Sequence, residues 1–137
     1  MGTQKVSLSK LPAVAIAHGA LAMMNGAIKY GAYNWRAKPV VASIYVDAAL
    51  RHITAWFEGE EDATDSGVHH LGHALACCAI ILDAQAVGNL IDDRPVTTQS
   101  KGVMTRVLDR LMVKVAAMLL KAANAKAEAA QSKSTEA

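Results

Sequence analysis

The segment RHITAWFEGEEDATDSGVHHLGH, residues 51–73, concentrates acidic and imidazole side chains around one short polar break. Its carboxylates lie between an apolar segment that ends near Phe57 and another that begins near Val68. Carboxylates this close together repel one another unless water, protons or a cation neutralises them. The segment therefore predicts a divalent metal site, with a solvated acidic turn as the alternative. The carboxylates are Glu58, Glu60, Glu61, Asp62 and Asp65.

Two histidines follow these carboxylates at a helical spacing. His70 and His73 share one face of a helix, so both can point at the same ion. If the flanking helices form an antiparallel pair, His52 approaches His73. Carboxylates and imidazoles together suit several metals, and we expect Mg²⁺ or Mn²⁺ for a phosphate-bearing substrate, ahead of Zn²⁺. The predicted ligands are Asp47, Glu58, Glu60, Glu61, Asp62, His70 and His73.

The stretch KYGAYNWR, residues 29–36, has the composition of a nucleotide-binding segment. An indole or a phenol can stack on a base, a carboxamide can read a base edge, and cations can neutralise phosphate oxygens. The alternative is a loop between helices anchored by its aromatic side chains. The predicted nucleotide-binding residues are Lys29, Tyr30, Asn34, Trp35 and Arg36.

Two further groups of acidic residues follow in the sequence. Asp83 ends an apolar run, where a carboxylate is unusual unless it is paired or binds a metal, so we expect it to point into the site. The run Asp92-Asp93-Arg94-Pro95 indicates a polar turn with an internal ion pair, rather than a loop that reaches a neighbouring subunit's site.

Composition restricts the class of protein. The chain has 137 residues with 53% hydrophobic and 4% aromatic content, which favours one helical domain. A net charge of +2 is too small to indicate nucleic acid as the main partner. Cys77 and Cys78 are adjacent and predict reduced thiols in a cytoplasmic protein. We expect neither a membrane span nor a signal peptide.

Four helices are predicted to position these residues. The first runs from Pro12 to Lys29 and is stopped by Gly31, and the second runs from Pro39 to Phe57. The third is capped by Asp65 or Ser66 and ends near Gly88, while the fourth begins between residues 98 and 101. We expect residues 1–124 to form one domain and residues 125–137 to fray. The apolar surface of helices one and three predicts a homodimer or homotetramer.

Several of these motifs occur in the same order in a known family. KYGAYNWR, the segment over residues 51–73, the apolar helix after it and the sequence DDRP resemble the phage and bacterial dATP/dGTP diphosphohydrolases, which are similar to MazG-like pyrophosphohydrolases. The resemblance covers residues 29–95. It implies an all-α, four-helix MazG-like bundle.

The resemblance also implies an activity. It predicts metal-dependent hydrolysis of dGTP or dATP, or of dGDP, between the α and β phosphorus atoms, with dGMP supplied for synthesis of modified purines in phage DNA. In MazG-like relatives two acidic pairs hold the metals, and here Glu58 and Glu61 match the first pair and the two histidines match the second. The predicted catalytic residues are Arg51, His73 and Asp83. Arg51 or Lys29 stabilises the charge on the leaving pyrophosphate, and His73 or a carboxylate orients the attacking water. If the gene is a phage's, the protein acts in the host cytoplasm.

Two alternatives remain open. The first is a noncatalytic helical module whose basic fourth helix binds nucleic acid or an acidic protein, with Arg106, Arg110 and Lys114 at steps of four residues. The second is a zinc-dependent phosphohydrolase that uses His52, His70 and His73.

Overall fold

Alanine, leucine and other good helix formers dominate the chain, and most of the backbone is helical. The computed structural model describes residues 5–135 and confirms the predicted all-α class. The elements are a 3₁₀ helix at Leu8–Lys10, α1 (Ala13–Tyr30), α2 (Asn34–Ala37), β1 (Val40–Val41), α3 (Ala42–Phe57), α4 (His70–Ala86), β2 (Leu90–Ile91) and α5 (Val103–Thr135). The four predicted helices correspond to α1, α3, α4 and α5, whereas the short elements between them were not predicted.

The chain divides into two compact units, residues 1–94 and residues 95–137. In the first unit α4 packs against both α1 and α3. The side chains at these contacts are small, and the core cluster joins Ala22, Val68 and Ala76, with Met23 packed against it. Small side chains let the helix backbones approach closely, which brings the polar groups on neighbouring helices within hydrogen-bonding distance.

Helix α1 has nearly the predicted bounds. It ends at Tyr30, and Gly31 follows with a φ of 91°, a conformation that glycine adopts without strain. Gly31 donates its backbone N–H to the carbonyl of Ala27, 2.9 Å away. The predicted glycine stop is therefore confirmed.

Helix α3 starts at Ala42, three residues after the predicted start at Pro39. Val40 and Val41 instead form β1, which pairs in parallel with Leu90 and Ile91 of β2. The carboxylate of Asp93 accepts hydrogen bonds from the backbone N–H and the hydroxyl of Ser43, so this helix end is capped from a distant part of the chain. Asp92 pairs with Arg94, as predicted for this turn.

Helix α4 begins at His70, so the predicted cap at Asp65 or Ser66 is wrong. The residue before α4 is His69, whose Nδ1 accepts the backbone N–H of Leu71 at 3.0 Å. His69 also forms an isolated antiparallel bridge with Asp62. This bridge keeps the backbone out of a helix until residue 70. The helix ends at Ala86, close to the predicted end.

The second unit consists of a turn and α5. Thr97 and Ser100 exchange hydrogen bonds between their hydroxyls and backbone N–H groups, and α5 starts after this turn, at Val103. Arg106 donates to the carbonyls of Gln99 and Lys101. The helix continues to Thr135, beyond the predicted fraying point at Ala125, because alanine and lysine favour helix. No helix within residues 5–135 is long and apolar enough to cross a membrane.

Candidate nucleotide pocket

A cavity of about 410 Å³ lies within the first unit, between α1, α2, α3 and α4. Its volume falls in the range of about 300–1,000 Å³ that small-molecule sites occupy. The wall combines apolar helix surface with a few polar side chains. These polar and aromatic residues are Asn25, Lys29, Tyr30, Asn34, Trp35, Tyr45, His52, Asp65, His73 and Cys77.

Helix α2 carries Trp35 into this wall, and a carboxylate on α4 fixes it there. Asp83 accepts the indole N–H of Trp35 at 2.7 Å and two N–H groups of Arg36, each at 2.8 Å. These donors, Arg36 first, lower the pKa of Asp83 to about 2. The carboxamide of Asn89 donates to the backbone carbonyls of Trp35 and Lys38. The indole is therefore held by both its ring nitrogen and its backbone.

Three histidines from α3 and α4 form a cluster beside the cavity. The Nδ1 atoms of His52 and His70 lie 2.8 Å apart, so one donates a proton and the other accepts it. The rings of His52 and His73 stack with centroids 4.5 Å apart and planes 15° apart. The hydroxyl of Ser66 lies 2.9 Å from Nε2 of His73. The predicted approach of His52 to His73 is confirmed.

Burial keeps two of these imidazoles uncharged near neutral pH. It lowers the pKa of His52 below 6.5, and the neighbouring His73 and His70 lower it further. Burial also lowers the pKa of His73, against the opposing effect of the Asp65 carboxylate. A neutral imidazole has a lone pair available, so this side of the cavity can accept a proton.

One ion pair lies at the cavity wall. Lys29 approaches the carboxylate of Asp65 at 3.4 Å, and both side chains are substantially exposed. The Lys29 ammonium lowers the pKa of Asp65, which stays ionised at neutral pH. An exposed pair of this kind is weak and breaks readily, so Lys29 is free to contact an anionic ligand instead.

The acidic turn packs against the start of α4 through histidine contacts. Glu60 lies 3.3 Å from Nε2 of His70, and Glu61 lies 3.1 Å from Nε2 of His69. The His69 ring in turn contacts the His18 ring of α1, with centroids 4.8 Å apart. These two carboxylates therefore contact imidazoles that the cavity wall does not include.

Other predicted metal and catalytic residues line a separate open groove of about 440 Å³ along one face of α3. Three carboxylates and one guanidinium provide its charges, which makes it a poor site for a polyanion. Among residues 5–135 no three or more His, Cys, Asp or Glu side chains are arranged to hold a metal ion. The charged groove residues are Asp47, Arg51, Glu58 and Glu60.

Residues 1–94 match the family described as dATP/dGTP diphosphohydrolase, N-terminal. The chain belongs to the dATP/dGTP diphosphohydrolase family. The match ends at the last residue of the first structural unit and includes the whole cavity. No curated protein and no solved structure matches the chain.

The diphosphohydrolase unit gathers only part of the predicted site in its cavity. Four of the five predicted nucleotide-binding residues line it, while Arg36 is not part of the wall and pairs with Asp83. Of the predicted metal and catalytic residues, His73 lines the cavity. The remaining assignments stay predictions, and the structure places Asp47, Arg51, Glu58 and Glu60 along the α3 groove.

Several wall residues were missing from the predicted site. Tyr45 lies two turns before His52 on the same face of α3, so the predicted approach of His52 to His73 could have added Tyr45 to the site. Burial raises the pKa of Tyr45, which keeps its hydroxyl protonated. Ser66 is not a wall residue, but it contacts His73 of the wall. The sequence carried no signal for this contact, because it depends on how the turn before α4 folds.

Proposed function

We propose that the chain hydrolyses purine deoxynucleoside triphosphates, dGTP or dATP, to the monophosphate and pyrophosphate within the cavity of the first unit. One observation carries this proposal. The cavity of the family-matched unit brings Lys29, Asn34 and Trp35, which suit a nucleotide, onto the same wall as the paired imidazoles of His52 and His73. By the resemblance, dGMP released in this way would supply synthesis of modified purines in phage DNA.

The base would bind at α2. The indole of Trp35 offers a flat apolar surface, and its anchorage to Asp83 limits the entropy lost when a base stacks on it. Asn34 lines the same part of the wall and carries both a donor and an acceptor. This combination supports a purine as the base, with its edge read by the carboxamide.

The phosphates would extend towards Lys29. Its ammonium lies on the same cavity wall as the neutral imidazoles, where it can exchange the Asp65 carboxylate for a phosphate oxygen. We propose that Mg²⁺ or Mn²⁺ enters with the nucleotide as part of the substrate. Mg²⁺ is commonly bound through one or two carboxylates together with the phosphates of the substrate. Zn²⁺ is the less favoured ion.

His73 would take the proton. Water attacks the α-phosphorus, the bond from that phosphorus to the bridging oxygen breaks, and pyrophosphate leaves while the proton of the water passes to the His73 ring. The lowered pKa keeps His73 neutral and able to accept this proton near pH 7. Ser66 and the stacked ring of His52 hold the imidazole in position.

Product analysis tests the proposal directly. The full chain is incubated with dGTP, dATP or dGDP and with Mg²⁺ or Mn²⁺, and nucleotide products, pyrophosphate and phosphate are resolved. We expect monophosphate and pyrophosphate from a purine triphosphate. His73→Ala should lower kcat by at least about a hundredfold. Absence of turnover of every purine nucleotide with either ion would contradict the proposal and favour a noncatalytic binding module.

A matched pair of tryptophans tests the location of the base. Trp35→Ala should raise KM by about tenfold through loss of the stacking surface. Trp56→Ala is the control, because Trp56 lies on α3 and is 38% exposed outside the cavity wall. If the two substitutions raised KM equally, the base would not bind at α2.

A further inference from the structure

The second unit presents an apolar seam that the nucleotide pocket does not use. In α5, apolar side chains recur at alternating steps of four and three residues, and each of these positions is exposed. We call this set the α5 seam. It consists of Met104, Leu108, Leu111, Val115, Met118, Ala122 and Ala125.

This spacing is the heptad pattern of a coiled coil. An α-helix turns once per 3.6 residues, so a strict repeat averaging 3.5 keeps one seam facing a partner helix that supercoils with it. The α5 seam maintains the repeat for three heptads without a polar residue. A lone helix gains no burial from such a seam, and its side chains stay in water.

We propose that α5 pairs with α5 of a second copy of this chain as a coiled coil. The inference goes beyond the hydrolytic function, since the family match ends at residue 94 and leaves α5 outside it. The α5 seam is also a different contact surface from that of helices one and three, which predicted a dimer or tetramer. In the coil the seam residues insert as knobs between four residues of the facing helix.

The available area fits a stable helix pair. Met112 and Leu119 flank the seam and are 61% and 66% exposed, which brings the number of large apolar side chains on this side to seven. At about 25 cal/mol per Å², full burial of one such side chain corresponds to roughly 60–120 Å². Seven of them would bury roughly 400–850 Å² per helix, close to the roughly 800 Å² per partner of a stable interface.

The composition of α5 favours another helix over a lipid surface as the occupant. Helices that lie in a membrane interface insert tryptophan, phenylalanine and leucine between the lipid headgroups. Residues 95–137 contain no aromatic side chain. The seam also continues into Ala122 and Ala125, which offer little area for insertion but allow two helix backbones to approach closely.

Sedimentation of the full chain at micromolar concentration tests the coil. The wild type should sediment as a dimer or larger species. Leu111→Glu places a charge in the seam and should reduce the mass, whereas Val113→Glu, on the opposite face of α5, should leave it unchanged. Circular dichroism reports whether each variant stays helical. A monomeric wild type, equal masses for both variants, or binding to anionic vesicles without self-association would overturn the proposal.

A second pair of variants strengthens the seam instead of breaking it. Ala122→Leu enlarges a seam position and should lower the dissociation constant by at least about tenfold, while Ala123→Leu adds the same side chain beside the seam and should change it little. This comparison does not depend on a variant that loses its fold. If both leucine substitutions lowered the dissociation constant equally, the association would depend on general hydrophobicity, and the coiled-coil proposal would be wrong. These variants should keep their hydrolytic activity, so the coiled-coil proposal and the proposed hydrolysis can be tested independently.

Discussion

His52 of α3 and His70 of α4 meet through their Nδ1 atoms, 2.8 Å apart. Only one proton fits between two nitrogens at this distance, so the contact is a hydrogen bond when exactly one Nδ1 is protonated. His70 is 6% exposed and Nε2 of the same ring contacts Glu60. The ring of His73 also contacts the ring of His52, by stacking on it. The packing of α3 on α4 therefore depends on the protonation of His52.

The first prediction follows from the lowered pKa values of His52 and His73. In the unfolded chain these imidazoles take up protons near pH 6.5, and in the folded chain only at lower pH. Below about pH 6.5 the unfolded state then binds more protons than the folded state. The free energy of unfolding therefore decreases as the pH decreases in that range. Thermal unfolding followed by circular dichroism in a chelating buffer should give a Tm that is constant above pH 7 and decreases from there to pH 5.

Two variants separate the histidines from other titrating groups. His52→Gln should flatten the dependence of Tm on pH between pH 7 and pH 5. Asp92→Asn should leave that slope unchanged, since Asp92 has a pKa of about 2 and is ionised throughout the range. A slope that survives in the His52 variant would assign the pH dependence to other groups.

The second prediction concerns the anchor of Trp35. Asp83→Asn removes the charge that holds Arg36 and weakens the acceptor for the indole N–H, so Trp35 becomes mobile. Loss of this anchor should raise KM for the nucleotide by about fivefold to tenfold with a smaller change in kcat. Steady-state kinetics on purified protein provide the measurement.

Asp92→Asn is the matched control for this anchor. Asp92 has the same lowered pKa of about 2 and also pairs with an arginine, but it lies outside the cavity wall. It should leave KM unchanged. If kcat falls in the Asp83 variant while KM stays constant, Asp83 acts on the reacting groups, as the sequence analysis predicted.

The third prediction concerns the contact between α1 and α4. A Cβ at Gly72 would lie 2.7 Å from the backbone carbonyl oxygen of His18, and neither backbone can move without separating the two helices. Gly72→Ala should therefore lower the free energy of unfolding by about 1–3 kcal/mol. Gly19→Ala is the control, because its nearest neighbour, Cβ of Leu75, would be at an ordinary 3.7 Å. That substitution should raise stability by about 0.5–1 kcal/mol through helix propensity. Denaturant titration compares the two variants.

Much of this fold could be predicted from the sequence, because apolar periodicity and helix-stopping residues mark most of its helices locally. The apolar periodicity and Gly31 located α1, and the antiparallel arrangement of α3 and α4 placed His52 beside His73. The pairing of β1 with β2 left no pattern, since a strand of two residues has no period. The sequence indicated that Asp83 is paired or binds a metal, but it did not identify the partners. Its partners Trp35 and Arg36 lie 48 and 47 residues away in the sequence, and only the packing of α2 on α4 brings them together.

The last prediction sets two neighbouring charges against each other. Lys29 and Asp65 form an exposed ion pair on the cavity wall, so both charges act on the phosphates of a bound nucleotide. Lys29→Met should raise KM by about fivefold to tenfold, because a cation is lost from the site of a polyanion. Asp65→Asn should lower KM, because it removes a repulsive charge and releases the Lys29 ammonium.

Lys38→Met is the control, since Lys38 lies at the end of α2 outside the wall and should leave KM unchanged. High salt should shrink both effects. If Lys29→Met and Asp65→Asn shift KM in the same direction, the pair serves to hold α1 to the turn before α4, and the phosphates bind elsewhere.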